Sequence, residues 1–169
     1  MRGGTSKAIV FHRRDLPVDQ AQWEDIFLAA IGSPDPYARQ LDGMGGGVTS
    51  LSKVCVVGPP TRGDADIDYT FAQVPVREQR VEYSTNCGNM SSGMGPFAVD
   101  EGLVKISGSE ALVRIHNTNT SKIIVARFPV RTRAAPPAAG NARHDDSAPA
   151  GPIGNTPGDG SRRQGPERR

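Results

Sequence analysis

Cysteine is nearly absent from this sequence, with Cys55 and Cys87 its only two. Two thiols cannot build the disulfide framework of a small secreted domain, and a reducing compartment is the default expectation. Long apolar runs are missing too, none approaching the roughly 18 residues that a bilayer-crossing helix needs. No basic-apolar-small order opens the chain, so no secretory leader is expected. Nor is either charge in excess. Twenty Lys+Arg against 18 Asp+Glu leave +2, too little to imply a polyanionic partner. A soluble cytoplasmic protein is expected, without membrane or nucleic-acid partners.

What is present is unevenly spread. Residues 1–130 hold all four lysines, every aromatic residue and nearly all the branched aliphatics. Residues 131–169 are Pro, Gly, Ala and Arg, with Ile153 the only large aliphatic side chain. Such a stretch cannot bury enough apolar area to offset an ordering entropy of about 1–2 kcal/mol per residue. It is expected to be a disordered low-complexity tail behind one domain over 1–130. Its arginines invite a nucleic-acid reading, but Asp145, Asp146, Asp159 and Glu167 dilute them. No aromatic interleaves for base stacking, so a solvated tail without a partner is the better reading.

Within 1–130, strands predominate. "SKAIVFH" (6–12), "SKVCVVG" (52–58), "DIDYTFAQV" (66–74), "ALVRIHNT" (111–118) and "SKIIVARFPV" (121–130) are β-branched or alternate with period two. Two helices are expected. "VDQAQWEDIFLAAIG" (18–32) carries an apolar face of Trp23, Ile26, Phe27, Ala30 and Ile31 and closes on Gly32. The second runs from about Asn86 to Glu101, ahead of Gly102. The fold class is α+β.

Two glycine clusters, "RGGTSK" (2–7) and "LDGMGGGVTSLSK" (41–53), each join hydroxyl side chains to a lysine. Glycine lets backbone N–H groups converge on an anion, although flexible turns look the same in sequence. Neither cluster has phosphate-loop spacing, and Val48 stands where a dinucleotide fingerprint needs its third glycine. "DADID" (64–68) alternates acids like a calcium loop, but Tyr69 and Pro75 occupy the positions that need glycine and glutamate. It reads as a solvated strand edge. His12, His116 and His144 have no ligand spacing to one another or to a cysteine. Neither a metal nor another cofactor is expected. Cys55, inside "KVCVV", reads as a small core residue. Cys87, inside "TNCGNMSSG", sits where a helix begins, and the unpaired N–H groups of a first turn favour thiolate over thiol. Gly88 would admit a ligand to the backbone, and Asn86 and Asn89 could cap the helix or hold a carboxylate. The residues by themselves leave a working thiol and a buried thiol equally open.

"MRGGTSK", "LDGMGGGVTSLSKV", "DIDYTFAQV" and "NCGNMSSGMGPFAV", in this order and spacing, resemble the N-terminal half of the methylaconitate cis–trans isomerase family. That family includes 4-oxalomesaconate tautomerases and is related in structure to diaminopimelate epimerase. The resemblance covers about residues 1–130. It implies an epimerase-like domain whose strands wrap a central helix, with the active site in a cleft between two such domains. It also implies cofactor-free proton removal beside a carboxylate and reprotonation elsewhere on an allylic system, with a small unsaturated di- or tricarboxylate as substrate. The family's lysine and cysteine correspond to Lys53 and Cys87: Lys53 as base or charge-stabilising acid, Cys87 as its acid–base partner. Thr5, Ser6, the Gly43, Gly45, Gly46 and Gly47 turn, Asn86, Gly88 and Asn89 would hold substrate carboxylates.

The family opens with a short strand before "MRGGTSK" and continues into a second domain after "ARFPV". The bias beyond residue 130 is what a GC-rich gene gives when read out of frame, so a truncated or frameshifted product is expected. Translating the neighbouring DNA in the other two frames would find or fail to find the second half. Little activity is then expected from the chain alone, because one wall of the cleft would be missing. The alternatives are a non-catalytic fragment that self-associates through its exposed interdomain face and a cysteine hydrolase, for which no histidine stands at a convincing partner position.

Overall fold

The computed structural model describes residues 1–130; the expected tail lies outside the described residues. Six strands form one mixed sheet in chain order. They are β1 (Arg2–Gly3), β2 (Ser6–His12), β3 (Lys53–Gly58), β4 (Ile67–Gln73), β5 (Glu110–Asn117) and β6 (Lys122–Pro129). Helix α1 (Trp23–Ile31) lies between β2 and β3, and helix α2 (Gly88–Asp100) between β4 and β5. Pairs β2/β3 and β4/β5 are parallel, whereas β1/β2, β3/β4 and β5/β6 are antiparallel. Each helix therefore sits in a parallel crossover. Because β3/β4 reverses strand direction between them, two crossovers of the usual right hand must place their helices on opposite faces.

The cores bear this out. On one face α1 lays Trp23, Phe27, Leu28 and Ile31 against Val54, Val56, Ala72 and Val74. On the other, Met90, Met94 and Ala98 of α2 pack on Ala8, Cys55, Val57, Tyr69, Phe71, Val113 and Ile115. Strand β3 shows the alternation directly, with Val54 and Val56 toward α1 and Cys55 and Val57 toward α2. The sheet curls around α2, which touches β1, β2, β3, β5 and β6. The expected α+β fold with strands wrapped round a central helix is the observed one.

An enclosed helix has little room for side chains. A Cβ on Gly95 would stand 2.8 Å from Ala126 Cβ and 2.9 Å from Phe128 Cε1. One on Gly3 would lie 2.1 Å from the Asn89 carbonyl oxygen, so β1 reaches α2 only because no side chain intervenes. Helix α1 is shorter than the 18–32 reading. The Asp19 carboxylate accepts the Ala21 N–H and holds a 3₁₀ turn over Gln20–Gln22, and α-helix begins at Trp23. Gly32, at φ 79°, ends it in the left-handed region.

Candidate active site

Helix α2 begins at Gly88, two residues later than the Asn86 start expected from sequence. Cys87 is its N-cap, in extended conformation, and its carbonyl accepts the Ser91 N–H at 2.9 Å. The thiol therefore stands at the mouth of the helix rather than on its first turn. No side chain caps α2, so the N–H groups of Gly88, Asn89 and Met90 precede the first helical bond and face outward with the positive end of the dipole. Asn86 does not act as cap. Its Oδ1 accepts from Ser91 Oγ at 3.0 Å and from Asn117 Nδ2 at 3.4 Å.

The hairpin turn between β1 and β2 meets this helix end. Ser6 Oγ lies 3.8 Å from Cys87 Sγ. Asn89 Nδ2 donates to Thr5 Oγ1 at 3.0 Å and to Ser6 Oγ at 3.5 Å. A Cβ on Gly4, at φ +52°, would be 2.7 Å from Asn89 Oδ1, so the turn seats on Asn89 only as glycine. Thr5, Ser6, Cys87 and Asn89 thus form one polar cluster around an uncapped helix N-terminus.

Lys53 opens β3 on the same face of the sheet. It is paired in register with Ala8 of β2, two residues along from Ser6. Only 8% of Lys53 is exposed. Its ammonium donates to Gln73 Oε1 and lies 5.3 Å from the centre of the Phe71 ring. No hydrogen bond joins Lys53 to Cys87 among the described residues; they share a face and an end of the sheet. Both act through space on Cys55, whose thiol burial pushes up to about 12, with Cys87 raising it further and Lys53 lowering it.

The glycine-rich turn is occupied with its own fold. The N–H groups of Gly43, Met44, Gly45 and Gly47 go to Gln40 O, Ala30 O, Ile31 O and Gln40 Oε1. A Cβ on Gly43 would lie 2.2 Å from the Gly32 nitrogen, so this glycine serves close packing against the end of α1. The buried Gln40 side chain ties the turn together through Ser33, Gly47 and Ser52. Lys7 Nζ, from the hairpin side, reaches Gly45 O at 3.3 Å.

Comparison with known proteins places this chain in a family. The family model described as PrpF protein matches residues 1–151. The chain belongs to the PrpF protein family. The match runs past residue 130, where composition changes. The chain is 48% identical over 130 residues to a 3-methylitaconate isomerase of Eubacterium barkeri, covering 77% of this chain and 34% of that protein. It is 50% identical over 129 residues to a 4-oxalomesaconate tautomerase of Pseudomonas putida, covering 76% and 35%. A crystal structure of methylitaconate-delta-isomerase superposes with TM-score 0.74 at 47% identity, over 78% of this chain and 33% of that one. The chain therefore spans about a third of the length of these relatives.

In this PrpF-family chain two site residues escaped the sequence reading, Gln73 and Phe71. The available signal was parity: Gln73 falls on the same face of β4 as Ile67, Tyr69 and Phe71, a polar residue in an apolar row. Its pairing with Lys53 depends on the β3/β4 register, which sets Lys53 opposite Gln73. The acids of "DADID" each have a separate partner: Asp64 pairs with Arg62, Asp66 with Arg114 and Asp68 with His116. His12 meets Glu101 at 3.2 Å, and His144 lies outside the described residues. No helix among the described residues is long and apolar enough to cross a membrane.

Proposed function

We propose that this chain carries one side of an isomerase site that moves a proton along the allylic system of a small unsaturated di- or tricarboxylate without a cofactor. The observation that carries this reading is the thiol of Cys87 set at an uncapped helix N-terminus beside Ser6. A substrate carboxylate bound by the free N–H groups of α2 would bring its neighbouring carbon to that sulfur. The Cys87 thiolate would take a proton from the allylic carbon, sending the electron pair through the double bond into the carboxylate. The thiol would then return the proton to the far carbon of the allyl unit. Lys53, with one N–H on Gln73 and its charge against Phe71, would donate to the oxygen on which negative charge grows. Thr5, Ser6 and Asn89 would orient the carboxylate. Names of relatives, 3-methylitaconate isomerase and 4-oxalomesaconate tautomerase, agree with this substrate class.

The test mixes the chain with trans-aconitate in D₂O and follows the allylic protons by NMR. Exchange that disappears in Cys87→Ser and falls at least about tenfold in Lys53→Ala is expected, the loss of one transition-state contact. Exchange undiminished in both variants would sink the assignment. A second reading rests on an exposed, partly apolar groove. It is a non-catalytic unit, cytoplasmic, that binds the carboxylate without turnover and self-associates. A groove of about 470 Å³ between α2 and β6, lined by Ser92, Pro96, Ile124 and Phe128, beside the exposed Val125, is the surface for it. Aconitate binding without exchange, with a sedimentation mass that drops in Val125→Lys, would favour that alternative.

A further inference from the structure

We infer that Gln73 is a positioning residue for Lys53, holding its ammonium at one point of the site by an acceptor that cannot turn away. The carboxamide of Gln73 is fixed at both ends. Its Nε2 donates to Ser52 O at 2.9 Å and to Thr49 O at 3.1 Å. Both amide hydrogens are thereby used, and flipping the group would set oxygen against two carbonyls. Oε1 must then face Lys53 Nζ, which donates to it. The backbone of Gln73 is held as well, through paired bonds of 2.9 Å each with Glu82. Glutamine and lysine lie opposite one another in the β3/β4 register, and both are 8% exposed. The Phe71 ring closes another side of the ammonium.

The three N–H groups of an ammonium on a four-carbon stem would otherwise sample many directions. With one spent on Oε1 and the stem buried, the remaining hydrogens have a restricted arc, which is how a donor is pre-aimed at a developing oxyanion. The purpose assigned to this arrangement rests on the proton-transfer reading above; the arrangement itself does not.

The experiment separates the two. The chain is labelled with ¹⁵N-lysine, giving four Nζ signals, one per lysine, and hydrogen exchange at each Nζ is measured by NMR. Lys53 is expected to exchange at least about tenfold more slowly than the other three, the scale of one hydrogen bond to a charged group. Gln73→Glu keeps an oxygen for Nζ but loses both donors to Ser52 and Thr49; Gln73→Met loses acceptor and donors alike. Protection kept in Gln73→Glu and lost in Gln73→Met, with backbone amide spectra still folded, supports positioning through Oε1. Equal loss in both variants makes Gln73 a loop tether only and overturns the inference, as does equal retention. Four equally fast Nζ signals in the unaltered chain overturn it without any variant. Titration with trans-aconitate supplies the other arm: an Nζ signal of Lys53 that stays unmoved sinks the substrate reading while leaving the positioning result as measured.

Discussion

At residue 55 burial is the largest influence on chemistry. Cys55 has no exposed surface and its thiol is pushed up to about 12 by desolvation, so at pH 8 only about one molecule in ten thousand would carry the reactive thiolate. Cys87 is partly exposed at the α2 N-cap. Iodoacetamide at pH 8 is therefore expected to label one thiol per native chain, absent in Cys87→Ser, with the second appearing only in denaturant. Two thiols labelled at similar native rates would refute this division. Asn119 decides a different matter. Its side chain mimics a peptide unit, accepting from Phe71 N–H at 2.7 Å and donating to Phe71 O at 2.8 Å and Tyr83 O at 2.7 Å. It thus replaces the strand that β5 no longer supplies beyond Tyr69. Asn119→Ala strands those backbone groups, and a loss of about 2–4 kcal/mol is expected in urea unfolding. A loss under half a kilocalorie would show that water serves as well.

Among the elements, α2 is where packing governs sequence most tightly. Gly95→Ala would press a methyl into Ala126 and Phe128, forcing β6 away from the helix at a cost of about 1–3 kcal/mol. Gly88→Ala meets nothing within 4 Å and should change stability by less than about 0.5 kcal/mol in either direction. Thermal unfolding of the two variants side by side measures the contrast; equal midpoints would mean the helix is not enclosed as described. The same enclosure explains which elements the sequence reveals. Strands β2 to β6 were readable to within one residue at each end, because one-faced burial imposes period two on strands such as Ile67, Tyr69, Phe71. Strand β1 carries no such pattern, since two residues, one of them glycine, cannot alternate; it exists because Met1 exchanges both backbone bonds with Ala8 and Gly3 fits α2. The α1 start moved because Asp19 could cap either an α or a 3₁₀ turn. In the site, Cys87 stood out by residue type and neighbours, while Ser6 and Lys53 lay in glycine clusters and took their expected roles from the family resemblance. Gln73 and Asn119 did not, because their roles come from register and from where one strand outruns its partner.

For the whole molecule, the buried acids set how stability responds to alkali. Cys55 keeps its proton in the fold up to about 12, whereas an unfolded thiol loses it near 8.5. Tyr69 is pushed up by burial and by the neighbouring Cys55, and Tyr83, whose buried hydroxyl finds no partner, is pushed up to about 12 by burial and Glu24. In each case the native state binds the proton more tightly than the unfolded chain. The stability these groups lend is complete below the unfolded values and drains away as pH rises toward the folded ones. Each proton contributes a slope of about 1.4 kcal/mol per pH unit while the two states differ, with Tyr83 supplying less because the side chain is partly exposed. The urea midpoint should hold steady near neutrality, begin to fall above about pH 9 as the thiol of the unfolded chain ionises, and steepen above about pH 10 as its tyrosines follow. Cys55→Ala should flatten the first part of that descent by about one proton while leaving the tyrosine part intact. A midpoint unchanged from pH 7 to 11, or a descent identical in Cys55→Ala, would mean that the interior around α2 admits water to Cys55 and Tyr69 and that the enclosed core on which the site rests is looser than its packing indicates.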